Sequence, residues 1–287
     1  CPPKTKHSTE GFATQGFDQR TPEMQLAREQ RRQFDAQGFL FFPSLFSSDE
    51  VSLLQTAAAR IMQQNGPHVV RGPDTDAVRV AYGAHLTDET FQQLGRHPRI
   101  IGLAEQLLES QVYIHQSRLN PKVAFQGDLW TWHQDFATWH DRDGLQEPRV
   151  LMIAIFLDDA TESNGPLMMI PGSHRHGLIH EAVDNQESEG YTLFVISPDT
   201  VSRLAAEGGI QLQTGVAGSV LICHSNIVHG STANITPWPR TIFFLNVAAV
   251  DNPPTNFQRA EHHCARDCSG IVTLADDCLR ELIRTRG

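Results

Sequence analysis

Two histidines and one aspartate have the types and spacing of a metal site. His133 and Asp135 are two positions apart in the segment DLWTWHQDFATWH. In an extended strand, residues i and i+2 face the same side, so an imidazole and a carboxylate would point to one place. The third ligand must come from another strand, and we expect it to be His229 in NIVHGSTANITPWPR. Two histidines and a carboxylate on one face are typical of non-heme Fe(II) oxygenases, although these donors also suit Zn(II).

Arg240 and Ser231 add a feature that a zinc site does not need. Arg240 lies eleven residues after His229, beyond the NITPWP turn and at the start of the next strand. From there its guanidinium would bind a carboxylate through two parallel hydrogen bonds. Ser231, two residues after His229, would donate to the same carboxylate. The combination fits a dicarboxylate cosubstrate such as 2-oxoglutarate.

The composition describes the protein that must position these residues. The 287 residues are 40% hydrophobic and 20% charged, as in an ordinary globular protein. The net charge of −10, without any run of Lys or Arg, argues against nucleic acid as a partner. No apolar segment approaches the roughly 20 residues of a membrane span, and the first residues have no apolar signal core. We expect a small-molecule substrate and no membrane partner, with a homodimer as one assembly that the sequence leaves open.

The cysteines indicate the compartment. There are five of them, and none lies between positions 2 and 222. An odd number with this spacing is a poor framework for disulfides, so a reducing, cytoplasmic location is expected.

The first 110 residues predict mainly helices, behind a polar arm at 1–20. Segment 21–38 has Pro22 near its start and a glycine at its end, as helices do. Ser47 precedes Glu50 by three residues ahead of an apolar stripe, which is a capping box. A third helical region covers 88–110, and FLFFPSLF is a short strand. We expect this helical front to pack on the rest of a single domain that spans 21–287.

From about 111 to 252 the pattern changes to short strands separated by turn residues. VLMIAIFL is apolar throughout, as expected of a strand buried on both faces. Many short strands without alternating helices predict a mainly β sandwich, barrel or jelly roll. One helix with Asp199 near its N-cap interrupts them, and 253–287 form a tail. The predicted strands are QVYIHQSRLN, LWTWHQDF, RVLMIAIFLDD, PLMMIPGSH, GSVLICHS and RTIFFLNVAAV.

Five segments between about residues 31 and 268 resemble the phytanoyl-CoA dioxygenase superfamily of Fe(II)/2-oxoglutarate oxygenases. They are VYIHQSRLN, WHQDFATWHDRDG, NGPLMMIPGSH, GSVLICHSNIVHGSTANITPWPR and, more weakly, RAEHHCARD. Within the superfamily the chain is most similar to ectoine hydroxylases and to hydroxylases of free proline and leucine. The resemblance implies a double-stranded β-helix, which is a cupin-like jelly roll with flanking helices.

The resemblance also implies roles for individual residues. His133, Asp135 and His229 would hold iron, whereas Arg240 and Ser231, with help from Asn120 and Gln116, would hold 2-oxoglutarate. The cosubstrate would be oxidised by O₂ to succinate and CO₂ while an unactivated C–H of the substrate is hydroxylated, with ascorbate as a reductant of the iron. The residues expected at the substrate are Gln116, Trp139, Thr138, Phe244, Arg118 and Trp130.

The pocket motifs are mixed, which bears on the substrate. Gln134, Ala137 and Trp130 depart from the ectoine hydroxylases, and the form WTWHQD is similar to the proline and leucine enzymes. In contrast, Thr138-Trp139-His140 is similar to the ectoine enzymes. Cys223 stands where those enzymes have a pocket phenylalanine, which predicts extra space near the substrate. We expect a small zwitterion other than ectoine, most simply a free amino acid or a derivative of one.

Several alternatives stay open at this point. Ectoine 5-hydroxylation is one, and oxidative desaturation or cyclisation in natural-product biosynthesis by the same iron chemistry is another. A non-catalytic jelly-roll binding protein would have lost a ligand or Arg240, and a zinc hydrolase would leave Arg240 and Ser231 unexplained. The segment EHHCARDC offers His262, His263, Cys264 and Cys268 as zinc donors, but in the resemblance these are ordinary tail positions.

Overall fold

The computed structural model describes residues 24–72, 75–181, 186–188 and 191–286. The polar arm predicted at 1–20 lies outside these residues. The helices are α1 (Arg28–Gln37), α2 (Ser48–Met62), α3 (Ala84–Thr87), α4 (Glu89–Leu94), α5 (Pro98–Leu108), α6 (Asp135–Asp143), α7 (Pro198–Gly208) and α8 (Cys278–Arg286), with a short 3-10 helix at Ser173–His176. The strands are β1 (Phe39–Phe42), β2 (Val69–Arg71), β3 (Val78–Tyr82), β4 (Val112–Lys122), β5 (Trp130–His133), β6 (Val150–Phe156), β7 (Leu167–Met169), β8 (Gln186–Ser188), β9 (Tyr191–Leu193), β10 (Gln211–Gln213), β11 (Val220–His224), β12 (His229–Ser231) and β13 (Arg240–Ala249).

Two antiparallel sheets face each other across a core. The main sheet has seven strands in the order β1-β11-β6-β13-β4-β3-β2, and the second sheet has four in the order β10-β7-β12-β5. Met152 and Ala154 of the main sheet pack with Leu167 and Met169 of the second sheet between them. This is the mainly β, two-layer architecture that the short strands predict. A separate hairpin joins β8 and β9.

Strand β6 shows why one segment is apolar at every position. Leu151, Ile153 and Ile155 belong to the cluster that includes Leu54 of α2 and Ile100 of α5. The alternate side chains, among them Met152 and Ala154, face the second sheet instead. Successive side chains of a strand point to opposite faces of the sheet. Because helices cover one face of this sheet and strands cover the other, β6 needs apolar residues at odd and at even positions alike.

The front of the chain differs from its prediction in three respects. The first helix begins at Arg28, and Pro22 lies outside the described residues. The region 88–110 contains two helices, α4 and α5, because Pro98 starts a new helix whose cap, His97, accepts from the amide of Arg99. In addition, β3 pairs with β4 and β2 pairs with β3, so the first 110 residues contribute these two strands to the main sheet.

Helix starts follow local side-chain chemistry. The predicted capping box at α2 is confirmed, since the hydroxyl oxygen of Ser47 accepts from the amide of Glu50 and the Glu50 carboxylate accepts from the amide of Ser47. Helix α7 is capped by Ser197, and Asp199 lies in its first turn, near the N-cap as predicted. In the described ranges, no helix combines the length and the apolar character needed to cross a membrane.

Candidate metal and cosubstrate site

The predicted metal ligands come together between the two sheets. His133 ends β5 and His229 begins β12, and the antiparallel pairing of these strands places the two residues opposite each other. Asp135 completes the group, with one carboxylate oxygen 3.6 Å from Nε2 of His133 and the other 4.0 Å from Nε2 of His229. Among the described residues, this is the one group of three or more His, Cys, Asp or Glu whose donor atoms converge, all within 4.8 Å of one another.

The local structure at Asp135 is not the strand that was predicted. The strand ends at His133, Gln134 is extended, and Asp135 is the first residue of α6. The Gln134 side chain fixes this corner, since its amide nitrogen donates to the carbonyls of Gly177 and Asn226 and its oxygen accepts from the amide of Ile179. The carboxylate therefore reaches the site from a helix start rather than by strand alternation.

Backbone carbonyls orient both imidazoles. Nδ1 of His133 lies 2.7 Å from the carbonyl oxygen of Thr131, and Nδ1 of His229 lies 3.1 Å from that of Ile227. Each Nδ1 then carries the proton, and each Nε2 presents a lone pair to the site. Burial, together with the nearby His133, lowers the pKa of His229 to about 3, so this ligand is neutral at physiological pH.

Asp135 is buried, yet it is ionised. Burial by itself would raise its pKa, but the charge of Arg118 and the neighbouring imidazoles hold the pKa well below its usual range. Nη2 of Arg118 donates to the carboxylate at 2.9 Å. Two imidazoles and one carboxylate, whose donor atoms all lie within 4.8 Å of one another, form the donor set that suits Fe(II) with positions left for other ligands.

Arg240 is a buried cation with an unsatisfied donor. It begins β13, is 1% exposed, and donates through Nε and Nη2 to the carbonyl of Gly165. Neither its Nη1 nor the hydroxyl of Ser231 has a hydrogen-bond partner among the described residues. Burial lowers the pKa of Arg240 to about 9, so it stays charged at neutral pH. Buried polar atoms without partners indicate a missing ligand, and a carboxylate would satisfy both.

Lys122 is a site residue that the sequence analysis missed. It lies opposite Arg240 in the β4–β13 pairing, is 1% exposed, and donates to the carbonyls of Asp128 and Thr232. Burial and then the charge of Arg240 lower its pKa to about 6. The signal was available, because Lys122 follows Asn120 by two residues and so shares its face of β4.

A cavity lies beside the two histidine ligands. Of the residues expected at the cosubstrate or substrate, Arg118, Asn120, Trp130, Phe244 and Ser231 line it. Tyr82, Leu167 and Gly230 line it as well, although the sequence did not single them out. The guanidinium of Arg118 stacks 4.9 Å from the ring centre of Phe244, and that of Arg79 lies 4.8 Å from the ring centre of Trp130.

Three residues expected at the substrate do not border this cavity, and neither Arg240 nor Asp135 is among the residues that line it. Thr138 and Trp139 lie within α6, and Trp139 is fully buried in a cluster that includes Tyr113, Leu145 and Ala248. Gln116 is also fully buried, where its amide nitrogen donates to the carbonyl of His263. Contact of these three with the substrate stays a prediction, and residues 136–140 belong to helix α6.

Two other predicted features have definite positions. Cys223 is fully buried with its sulfur 3.8 Å from that of Met169, so the space expected from a small residue here is filled by the methionine. His263 packs its ring 4.3 Å from that of Tyr82, and Cys264 is buried as a free thiol. The segment 261–268 therefore supports the wall of the cavity.

Comparison with known proteins agrees with this site. Residues 34–242 match the family model of phytanoyl-CoA dioxygenase. The ectoine dioxygenase of Bordetella bronchiseptica is 37% identical over 267 residues, which cover 88% of this chain and 86% of that protein. The L-proline trans-4-hydroxylase of Streptomyces griseoviridis is 36% identical over 251 residues, which cover 84% of this chain and 94% of that protein.

Solved structures are similar in fold. The structure of EctD from S. alaskensis with 2-oxoglutarate and 5-hydroxyectoine matches with a TM-score of 0.77 at 33% identity, covering 87% of each chain. A structure of the same enzyme with bound Fe matches with a TM-score of 0.76. The predicted jelly roll with flanking helices is thus confirmed.

Proposed function

Because the chain belongs to the phytanoyl-CoA dioxygenase family, we propose that it is an Fe(II)- and 2-oxoglutarate-dependent dioxygenase that hydroxylates a small zwitterion. The substrate is a free amino acid or an amino-acid derivative. One atom of O₂ enters an unactivated C–H bond of the substrate, and the other enters succinate as 2-oxoglutarate loses CO₂.

One observation carries the proposal. Two imidazoles and an ionised carboxylate converge beside a cavity, and β13, the strand that contributes Phe244 to the cavity wall, begins with a buried arginine that has an unpartnered N–H. A zinc hydrolase would need the first part but not the second. A non-catalytic binding protein would not need to hold a carboxylate ionised in a buried position, since burying such a charge is costly.

The cosubstrate's far carboxylate is expected at Arg240, Ser231 and Lys122. Nη1 of Arg240 and the Ser231 hydroxyl would each donate to it, and the Lys122 ammonium would add a second positive charge. Asn120 lines the same cavity and would orient the chain of the dicarboxylate. Iron, when bound, supplies the oxidising chemistry, and the protein excludes water from a cavity lined largely by rings and buried groups.

Arg118 is expected to orient the substrate. It lines the cavity, stacks on Phe244 and holds Asp135 in place. A guanidinium on an aromatic face is a suitable site for a substrate carboxylate, which supports an amino acid over a neutral molecule.

Ectoine itself is the second candidate substrate. Two findings favour it, since the B. bronchiseptica relative is an ectoine dioxygenase and the S. alaskensis structure contains 5-hydroxyectoine. The departures at Gln134 and Ala137 favour a free amino acid instead.

The test is a turnover assay with anaerobically purified protein, Fe(II), 2-oxoglutarate and ascorbate. Free amino acids, ectoine and small peptides are offered, and mass spectrometry follows succinate and products that have gained one oxygen atom or lost two hydrogens. We expect substrate-stimulated succinate that is abolished in His133→Ala and Arg240→Ala but kept in Arg203→Ala, where the side chain is 55% exposed. Succinate release that no compound stimulates, or that survives His133→Ala, would contradict the proposal.

Compartment and assembly are further proposals. Cys223, Cys264, Cys268 and Cys278 are free thiols, which is compatible with a reducing, cytoplasmic location. Sedimentation of the purified protein would distinguish a homodimer from a monomer.

A further inference from the structure

A layer of buried amides lies next to the cavity. Strand β13 pairs with β6 so that Phe244 is opposite Ala154, Asn246 is opposite Met152, and Ala248 is opposite Val150. These three residues of β13 share one face of the main sheet because side chains alternate. Phe244 lines the cavity, and Ala248 packs in the cluster of Trp139. Asn246 therefore lies between the cavity and that cluster, and it is fully buried.

Asn246 has a neighbour on β4 that is also a fully buried amide side chain. It pairs with Gln116, next to a register shift where Val247 pairs with Ile114 and His115 is the extra residue. The Gln116 oxygen accepts from Nδ2 of Asn246 at 3.4 Å and from Nη1 of Arg118 at 3.4 Å.

The tail of the chain determines which way these amides point. The carbonyl of His263 can only accept, so Nε2 of Gln116 must face it, at 2.8 Å. The Gln116 oxygen then faces Arg118 and Asn246, and it takes the Nδ2 side of the Asn246 amide. As a result, Oδ1 of Asn246 is turned away from the pair, and it has no hydrogen-bond partner among the described residues.

We propose that Oδ1 of Asn246 accepts a hydrogen bond from an N–H group of the substrate. A fully buried acceptor without a partner is costly and calls for a donor. Arg118, which is proposed above to bind the substrate carboxylate, pairs with Phe244, two residues before Asn246. The site would therefore select molecules that carry an N–H beside a carboxylate. This inference rests on the proposed function and specifies how the same cavity recognises its substrate.

The experiment compares compounds that differ in nitrogen. The pairs are L-proline with cyclopentanecarboxylate, L-leucine with isocaproate, and ectoine with cyclohexanecarboxylate. For the wild-type protein, we expect kcat/KM for the nitrogen-bearing member of the productive pair to exceed that of its partner by about 10- to 100-fold, which is the usual effect of one hydrogen bond to a charged group.

Two variants test the role of Asn246 itself. Asn246→Leu keeps the volume but removes the acceptor, so the preference should fall to within about threefold. Asn246→Asp keeps an acceptor and should retain the preference, which also covers the case in which the leucine variant does not fold. Asn65→Leu, at an exposed asparagine, is the matched control and should leave the preference unchanged.

The outcomes are separable. Equal kcat/KM values of the wild-type protein for both members of a pair would overturn the inference. It would also be overturned if Asn246→Leu or Asn246→Asp lowered kcat/KM for both members by the same factor. In those cases succinate still responds to substrate, so the proposed function stands. Wild-type protein that forms no iron-dependent succinate with any of the six compounds would overturn the proposed function and this inference with it.

Discussion

At the scale of single residues, burial sets the charge of each group in the site. The same exclusion of water that makes His229 a neutral ligand also places Lys122 close to its point of deprotonation. Asp135 stays ionised because Arg118 compensates for its burial. The pKa of each of these groups therefore depends on the charges around it. A dianion bound nearby should shift these pKa values, and the shift can be measured.

Lys122 should make the free energy of unfolding depend on pH. Its pKa is about 6 in the folded protein, below the value of about 10.4 expected for an unfolded chain. Between these values the unfolded chain binds a proton that the folded protein does not, so stability falls as the pH drops from about 10 to 6 and then levels off. We expect Lys122→Met to show a shallower dependence than the wild type in urea denaturation without cosubstrate.

Arg203→Met, at an exposed position, should keep the wild-type dependence. Saturating 2-oxoglutarate should flatten the wild-type curve, because a nearby anion raises the pKa of Lys122. Identical curves for the wild type and Lys122→Met would contradict the assignment.

At the scale of elements, close backbone approach holds together the residues proposed to bind the cosubstrate. Gly165 has a φ of 81°, and a Cβ there would lie 2.6 Å from Cδ of Lys122 and 2.8 Å from the carbonyl oxygen of Thr232. Its own carbonyl accepts from Arg240. Gly165, which lies outside any strand, therefore spaces the side chains of Lys122 on β4 and Arg240 on β13.

Gly165→Ala should affect binding as well as stability. Positive φ alone costs about 1–2 kcal/mol for a side chain, and the contact with Lys122 should in addition raise the KM for 2-oxoglutarate by on the order of tenfold, as expected for the loss of about one hydrogen bond. Gly209→Ala is the matched control, since Gly209 has a φ of 72° with nothing near its Cβ position. It should lose stability but keep its KM. Equal KM values for the two variants in steady-state assays would rule out the spacing role.

At the scale of the whole molecule, one buried ion cluster joins the C-terminal tail to helix α6 and strand β4. The Asp143 carboxylate, at the end of α6, is fully buried and accepts from His115 of β4 and from Arg259 of the tail. Arg259 also donates to the His263 carbonyl, which orients Gln116. Helix α6, strand β4 and the tail are therefore held in one arrangement.

Arg259→Met should destabilise the fold by about 3–5 kcal/mol, because it leaves the Asp143 carboxylate buried with less compensation. Arg284→Met removes an exposed pair with Glu281 and should cost about 0–1 kcal/mol. Urea denaturation of both variants measures the difference, and similar losses in the two would show that the buried cluster is not structurally important.

The extent to which sequence predicted this molecule follows from where the signals lie. The uninterrupted apolar run of β6 and the positions of His133, His229 and Arg240 are local patterns, and the structure brings the two histidines together. The helix at Asp135 was missed because an H-x-D pair looks the same in a strand as at a strand–helix junction. Lys122 could have been found from the alternation of β4, since it shares a face with Asn120, whereas Asn246 was missed because its role depends on strand register and burial, which no local pattern encodes.

The pairing of β5 with β12 has a consequence for how such an enzyme diversifies. Iron ligation belongs to the second sheet and the helix that follows β5, whereas Arg118, Phe244, Asn246 and Tyr82 all belong to the main sheet. Mutations that retune substrate choice can therefore accumulate on one wall while the oxidising wall stays constant. Directed evolution confined to Tyr82, Phe244 and Asn246, which spares the Arg118 that holds Asp135, should yield new specificities without loss of iron.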